Sequence, residues 1–258
     1  IGTALGLSIQ NMKAMVEMQF ADFVTEGFNQ IVNNLAKIHW RWGCAADVVV
    51  RMPTGAGTAA GPYHSQSNEA WFFHTPGLKI VYPSNPYDAK GLLCAALADP
   101  NPVMYFEHKL LYRTLKDIIP DDYYTIEIGK ANIVRDGDEA VIITYGMGVH
   151  WATQILDELQ TINACILDLR SLLPWDKDAV AAVVKRTNRV LVLHEDTLTG
   201  GIGAEIAAWI NENCFEHLDA PVMREAGLDT AIPFAPTLES NFLPKSRLKE
   251  KLQMLMAY

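Results

Sequence analysis

Apolar residues follow two alternating patterns along the first half of the chain. Short continuous runs, such as the β-branched residues 47–51, are typical of strands buried on both faces of a parallel sheet. Between them apolar positions recur at helical spacing, as in Phe28, Ile31 and Leu35, and Asp22 or Thr25 is a candidate cap for that helix. The predicted strands are residues 15–20, 47–51, 78–82 and 103–106, and the predicted helices are residues 2–13, 28–38 and 87–98.

Residues 107–128 interrupt this rhythm with charged and proline-containing sequence, which we interpret as a connection between domains. The alternation of strands and helices then restarts. We therefore predict a fold of the α/β class with two doubly wound domains, residues 1–120 and 121–258. The strands predicted for the second domain are 140–144, 164–168, 189–194 and 221–225, and its helices are 149–159, 176–185, 203–213 and 245–256.

Composition excludes several classes of function. The net charge is −9 and no run of lysines or arginines occurs, which argues against nucleic-acid binding. No segment approaches the roughly 20 apolar residues of a membrane helix. The four cysteines are far apart and form no C-x-x-C pair, so buried reduced thiols of an intracellular protein are expected. They are Cys44, Cys94, Cys165 and Cys214.

The chemistry of the first domain is concentrated in the loop after residues 47–51. Gly55–Ala60 has the spacing of a dinucleotide-binding loop, but Pro62 occurs where the phosphate-binding helix should begin, so that function is rejected. His64 follows, next to Tyr63, Ser65 and Gln66, whose polar groups can fix an imidazole tautomer. An idle surface histidine remains the alternative. His74 and His194 are weaker candidates, and no G-x-S-x-G or H-E-x-x-H motif is present.

Several motifs together resemble one family. They are EMQFADF at residues 17–23, GPYHSQS at 61–67, PGLKIV at 76–81, DLRSLLPWD at 168–176, and HE followed by TGG within 194–201. In this order they resemble the β subunits of thiamine-diphosphate-dependent 2-oxo acid dehydrogenases, and the branched-chain (2-oxoisovalerate) branch most closely. The resemblance implies a transketolase-like pyrimidine-binding domain, truncated at its N-terminus, followed by a transketolase C-terminal-like domain.

The resemblance also implies a cofactor site shared between chains. Phe23 would stack on the aminopyrimidine ring, with Gln19 and Tyr63 beside it, and His64 would face the thiazolium and the acyl group. The thiazolium acts as an electron sink during decarboxylation, and the acyl unit would pass to a lipoyl group on a dihydrolipoyl acyltransferase. The family often holds a monovalent cation on backbone carbonyls, for which K⁺ is the candidate. The matching residues are Val48, Val49, Ala96, Asp99 and Asn101, for which a plain helix-to-strand turn is the alternative.

Two departures from the family pattern concern completeness. The glutamate that triggers ylid formation in the family would lie before Ile1, and the diphosphate with its Mg²⁺ is held by a G-D-G…N motif on the α partner. The nearest string here is Asp136-Gly137-Asp138, which we interpret as a hairpin turn. We therefore expect this chain to be inactive alone, and to be the C-terminal part of a β subunit or of an α–β fusion.

The expected partners are an α subunit or domain, a second β part giving an α2β2-like assembly, and the acyltransferase, with neither nucleic acid nor membrane. The location would be cytoplasmic in a bacterium and the mitochondrial matrix in a eukaryote. Three other functions stay open: a pyruvate dehydrogenase β subunit, a transketolase-type carboligase, and a non-catalytic assembly module. Preference among 2-oxo acids cannot be read from this chain, because the partner would supply much of the substrate pocket.

Overall fold

A computed structural model describes residues 1–258 and contains two five-stranded sheets. The strands of the first sheet are β1 (Ala14–Glu17), β2 (Val48–Thr54), β3 (Lys79–Val81), β4 (Val103–His108) and β8 (Ser171–Leu173). Their order is β1-β2-β4-β3-β8, in which the first four strands are parallel and β8 is antiparallel. The helices of this half are α1 (Gly2–Ile9), α2 (Ile38–Trp42), α3 (Ala70–Phe73), α4 (Pro86–Ala98) and α5 (Leu111–Thr114).

The strands of the second sheet are β5 (Asn132–Arg135), β6 (Ala140–Thr144), β7 (Ala164–Asp168), β9 (Val190–Thr197) and β10 (Met223–Gly227). Their order is β10-β9-β6-β7-β5, with β5 antiparallel at one edge. The helices are α6 (Met147–Leu159), α7 (Lys177–Thr187), α8 (Gly203–Cys214), α9 (Pro236–Phe242) and α10 (Lys245–Met256), with a short 3₁₀ turn at Phe215–His217. None of the helices combines the length and the apolar composition needed to cross a membrane.

Helices cover both faces of the second sheet, because its central strands are apolar on both faces. Val141 and Ile143 of β6 join the core cluster that includes α7 and α8, whereas Ile142 joins the cluster that includes α6 and α10. The first of these clusters has 34 buried residues and also contains Met52 of β2. The hydrophobic core is therefore continuous between the two halves, and the doubly wound α/β class is confirmed.

The helix predicted after β1 differs from the structure. A 3₁₀ helix (Ala21–Gly27), a π-helical segment (Gln30–Leu35) and α2 follow one another. Asp22 caps none of them, because its carboxylate accepts hydrogen bonds from Gln66 instead, and the 3₁₀ helix has no side-chain cap. The predicted cap is therefore wrong, since tertiary contact with the Gln66 segment competes for the same oxygen.

Two further expectations require correction. Asp136-Gly137-Asp138 connects β5 to β6, but these strands are not a hairpin, because β7 lies between them in the sheet. Residues 107–128 do more than connect domains: β4 extends to His108, and the rest packs back over α4. There Ile126 donates to the carbonyl of Gly91 at 3.1 Å, and the ring of Tyr124 stacks on Tyr87 with centroids 4.7 Å apart.

Candidate active site

Three neighbouring parallel strands end at the same edge of the first sheet and bring the candidate residues together. Phe20 and Phe23 follow β1, His64 lies in the loop after β2, and Lys109 follows β4. The imidazole of His64 makes edge-to-face contacts with both phenyl rings, with centroids 5.8 Å from Phe20 and 5.5 Å from Phe23. We call Phe20, Phe23 and His64 the aromatic wall; such geometry is favourable for aromatic pairs.

The backbone of His64 is fixed while its ring stays free. Its N–H donates to the carbonyl of Gly61 at 3.3 Å, and its carbonyl accepts from Lys109 Nζ at 2.5 Å. Neither ring nitrogen makes a hydrogen bond within the chain. The imidazole is therefore available to a bound molecule, which an acid–base group requires.

Lys109 is a member of the site that the sequence prediction missed. Its ammonium lies 4.9 Å from the centroid of the Phe20 ring, a cation–π distance. Burial lowers the pKa of Lys109, although the charges of Asp22, Glu195 and Glu239 oppose that shift. Residues that directly follow neighbouring parallel strands meet at one edge of the sheet. The sequence would therefore have identified Lys109 if β4 had been predicted to reach His108 rather than Phe106.

Asp22 anchors the loop on the C-terminal side of His64, at Gln66. Asp22 Oδ1 accepts from the backbone nitrogen of Gln66 at 3.0 Å and from its Nε2 at 3.1 Å. Asp22 Oδ2 and Ser65 Oγ are buried and have no partner in the chain. Polar atoms of this kind are rare in folded proteins and usually have a partner outside the chain or a bound water.

The other predicted cofactor residues lie on the exposed side of the wall. Phe23 is 42% exposed and Tyr63 is 67% exposed, and the side chain of Gln19 is also exposed. Exposed aromatic rings next to unpaired polar groups suit a heterocycle that one chain alone does not enclose. The structure thus brings Phe23 and His64 into contact, with Tyr63 adjacent to His64 in the loop and Gln19 preceding Phe20.

A carboxylate from the second half of the chain binds both ends of the loop that follows β2, residues 55–67, which we call the glycine-rich loop. Glu195 on β9 accepts from Ala56 N at 2.6 Å, from Ser67 Oγ at 3.1 Å and from His108 Nε2 at 2.7 Å. Burial would raise the pKa of Glu195, but the charge and hydrogen bond of His108, with the other two donors, hold it below its ordinary value. The sequence prediction assigned no role to this buried pair.

A second carboxylate contacts the middle of the same loop. Glu239 of α9 accepts from Gly57 N through Oε1 and from Ala59 N through Oε2, both at 2.9 Å. The ring of Phe234, from the segment before α9, lies against Gly61, where φ is +72° and a methyl group would overlap the ring. Both halves of the chain therefore shape the loop that carries His64.

Two further acids, Glu69 and Asp196, have raised pKa values. Burial and the charge of Asp196 raise the pKa of Glu69 to about 8, and Tyr145 donates to Glu69 Oε1 at 2.6 Å. Burial raises the pKa of Asp196 to about 7. His194 is buried, its Nδ1 lies 3.1 Å from the carbonyl of Asp196, and burial lowers its pKa to about 4. His74 is exposed.

Of the residues matched to a cation site, Ala96, Asp99 and Asn101 lie at or just after the C-terminal end of α4, whereas Val48 and Val49 begin β2. The carbonyl of Asp99 already accepts from Lys13 Nζ at 2.9 Å, and the carboxylate of Asp99 pairs with Lys79 at 2.5 Å and accepts from Asn101 N at 2.9 Å. Ala96 and Val49 lie in one buried apolar cluster. Val48 is also buried, and the chain has no group of three or more His, Cys, Asp or Glu arranged to hold a metal.

Two cavities flank the site without containing the aromatic wall. One of about 200 Å³ lies between the sheets, beneath the loop, and its lining includes Gln66, Ser67 and Glu195. The other, of about 540 Å³, lies between α4 and the segment that follows β4 and is lined mainly by apolar residues. Neither cavity is lined by Phe20, Phe23 or His64, and the ring of Phe23 is exposed to solvent.

Comparison with known proteins defines the class to which this fold and site belong. Residues 1–114 match the pyrimidine-binding domain of transketolase, and residues 129–247 match the transketolase C-terminal domain. A solved split-gene transketolase, described as an inactive beta4 tetramer, has a TM-score of 0.79 at 20% identity, covering 99% of this chain and 80% of that one. At this identity the similarity shows the fold alone.

Closer relatives identify the family. The chain is 47% identical over 249 residues to the 2-oxoisovalerate dehydrogenase subunit beta of Bacillus subtilis, covering 94% of this chain and 76% of that protein. The mitochondrial subunit of the same name from Dictyostelium discoideum is 43% identical, covering 100% and 71%. The pyruvate dehydrogenase E1 component subunit beta of Bacillus subtilis is 40% identical, covering 95% and 77%. The chain belongs to the β-subunit family of the thiamine-diphosphate-dependent 2-oxo acid dehydrogenases, as the resemblance predicted.

Proposed function

We propose that this chain forms part of a branched-chain 2-oxo acid dehydrogenase acting on 2-oxoisovalerate or its homologues, and that the aromatic wall is its share of the active site. The observation that carries the proposal is the contact of His64, whose ring nitrogens are free, with the exposed ring of Phe23 at 5.5 Å. The names of the relatives at 41–47% identity favour 2-oxoisovalerate. The pyruvate branch, at 40% identity, is the alternative substrate class.

The cofactor is thiamine diphosphate, which when bound supplies the electron sink that decarboxylation of a 2-oxo acid needs. Phe23 would pack against its aminopyrimidine ring, with Gln19 and Tyr63 at the edges. The exposure of all three side chains and the unpaired Oδ2 of Asp22 support this fit. Lys109 would hold the aromatic wall in place through its cation–π contact with Phe20.

His64 would hold and release a proton beside the reacting carbon during transfer of the acyl group to lipoyl. A fixed backbone with a free imidazole suits this task, because acid–base groups must be positioned before they exchange protons. The edge contacts of Phe20 and Phe23 limit the orientations of the ring without occupying its nitrogens.

Because the side chains of Phe23 and Tyr63 are exposed, we propose that another chain completes the site. We propose an α subunit or α domain that holds the diphosphate and Mg²⁺, pairing of two β parts in an α2β2-like assembly, and a dihydrolipoyl acyltransferase as acceptor. We also propose a K⁺ on the carbonyls of Val48, Val49, Ala96, Asp99 and Asn101. The carbonyl of Ala96 supports this, because Pro100 four residues on has no N–H to donate to it. K⁺ would have to displace Lys13 from the carbonyl of Asp99.

The experiment that tests the proposal is cofactor binding followed by thermal unfolding. Thiamine diphosphate with Mg²⁺ should raise the Tm of the β subunit only when the α partner is present, because ligands stabilise the state that binds them. The reconstituted enzyme should then show a higher kcat/KM for 2-oxoisovalerate than for pyruvate. Cofactor binding without the partner would instead indicate a carboligase. Absence of binding both with and without the partner would indicate a non-catalytic assembly module.

A further inference from the structure

We propose that Glu239, in the second half of the chain, is a positioning residue for His64, and that the glycine-rich loop acts as an anion-binding loop whose anion is this carboxylate. The inference rests on the proposed role of His64 in acyl transfer. It also explains why Gly55–Ala60 has the spacing of a phosphate-binding loop without the helix that such a loop requires.

The geometry of the loop is that of a small anion site. Gly57 has a φ of +90° and Ala59 a φ of +54°, so both lie in the left-handed region, where successive backbone N–H groups can converge on an anion. The two N–H groups each reach a different oxygen of Glu239 at 2.9 Å. The carboxylate is only 4% exposed and has no other hydrogen-bond partner in the chain.

The backbone conformation of Ala59 shows that this contact matters energetically. A residue with a Cβ in the left-handed region costs roughly 1–2 kcal/mol, and such strain persists only where surrounding contacts determine the conformation. Two hydrogen bonds to a buried charged group provide such contacts. Without the carboxylate, the two N–H groups would have no partner in the chain. The backbone at residues 57–59 would then lose the two hydrogen bonds that hold its conformation.

Four residues, 60–63, connect Ala59 to His64. Gly61 accepts the N–H of His64 at 3.3 Å, and it can lie against the ring of Phe234 only because it has no side chain. On the far side, Lys109 and Asp22 hold the loop from the first half. Glu239 and Phe234 therefore set one side of the His64 position, and the first domain sets the other.

A glutamine at position 239 would break this arrangement without removing volume. Its amide has a single acceptor oxygen, so its NH₂ group would face the N–H of either Gly57 or Ala59, and two donors cannot satisfy each other. Glu225 provides a matched control, because it is equally buried, 6% exposed, but pairs with Arg247 at 2.8 Å inside the second half. Glu225→Gln perturbs a buried carboxylate without contacting the loop.

The test uses the full-length β subunit assembled with its α partner, carrying Glu239→Gln, Glu239→Asp or Glu225→Gln. Two activities are measured, which are decarboxylation with an artificial electron acceptor and acyl transfer to a lipoyl domain. We expect Glu239→Gln to lower acyl transfer by about tenfold to a hundredfold, as a misplaced catalytic group does, with decarboxylation changed far less. Glu239→Asp should recover part of the loss, and Glu225→Gln should lower neither activity selectively.

NMR of the enzyme with isotope-labelled histidine distinguishes failure of this inference from failure of the proposed function. The ring signals of His64, assigned by their absence in His64→Ala, should shift or broaden in Glu239→Gln and not in Glu225→Gln. Unchanged His64 signals in Glu239→Gln, or equal losses in both activities, would overturn the positioning role. Shifted signals together with normal acyl transfer in His64→Ala would leave Glu239 as the positioning residue and refute the function assigned to His64.

Discussion

The buried pair of His108 and Glu195 predicts how strongly the two halves of the chain depend on each other. We expect His108→Leu to destabilise the protein, because the carboxyl group of Glu195 would stay buried with two donors instead of three. The remaining donors are Ala56 N at 2.6 Å and Ser67 Oγ at 3.1 Å. His108 and Glu195 come from β4 and β9, so the loss falls on the contact between the two sheets.

The size of the effect follows from the geometry. The 2.7 Å contact is a hydrogen bond to a charged group, which contributes about 1.5–3 kcal/mol, and removing one partner of a buried pair costs about 3–5 kcal/mol. We therefore expect His108→Leu to lower the free energy of unfolding by about 3 kcal/mol. With a urea m-value of about 3 kcal/mol/M, this lowers the midpoint by about 1 M.

The assay is urea unfolding of the wild type, His108→Leu, Glu195→Gln and the double variant at pH 7. The double variant should lose less than the sum of the two single losses, by about 1–3 kcal/mol, because the two side chains act as one unit. His217→Leu is the control, since His217 lies 3.5 Å from the exposed Glu216 and surface pairs contribute at most about 1 kcal/mol. Additive losses, or a His108→Leu effect no larger than the control, would refute the reasoning.

Three further predictions concern the same interface. The pKa of Glu69 is raised to about 8 in the folded protein, from 4.5 in the unfolded chain. The stability that its protonated form contributes is therefore lost as the pH rises from 4.5 through 8. Glu69→Gln should accordingly reduce the fall in Tm between pH 6 and 8.5. Tyr145→Phe should cost about 1–3 kcal/mol in urea unfolding, because it leaves a buried oxygen of Glu69 without its donor. Gly55→Ala should destabilise the protein at least as much as His108→Leu, since a methyl group at position 55 would overlap His108 and φ is +93°. A Tm equal to that of the wild type would contradict this prediction.

The sequence predicted the regular parts of the fold well, because continuous apolar runs and helical periodicity are local signals. The runs of β2, β6 and β7 are buried along most or all of their length. β5 and β8 were missed, since β5 is a partly exposed edge strand and β8 has only three residues. Pairing partners decide the structure of such short elements, and those partners are distant in sequence.

The candidate site was predictable only where a local motif marked it. His64 follows a strand and lies among polar neighbours, so its loop could be selected from sequence, and the family resemblance added Gln19, Phe23 and Tyr63. Glu195 and Glu239 carried no such signal, because the groups of the loop that they bind lie 128 or more residues away in the sequence. Contacts between two domains depend on how they dock, and hydrophobic periodicity contains no information on docking.

The central claim is that His64 handles the acyl group at a site that the partner completes, and His64→Ala in the assembled enzyme tests it most directly. The ratio of acyl transfer to decarboxylation is the quantity to measure, with Tm as the check on folding. We predict a ratio lowered by about a hundredfold, within the range for loss of an acid–base group. The Tm should fall by only a few degrees, because the variant loses the two edge contacts of the ring but no hydrogen bond within the chain. An unchanged ratio at normal Tm would contradict the account and make His64 a structural residue of the loop.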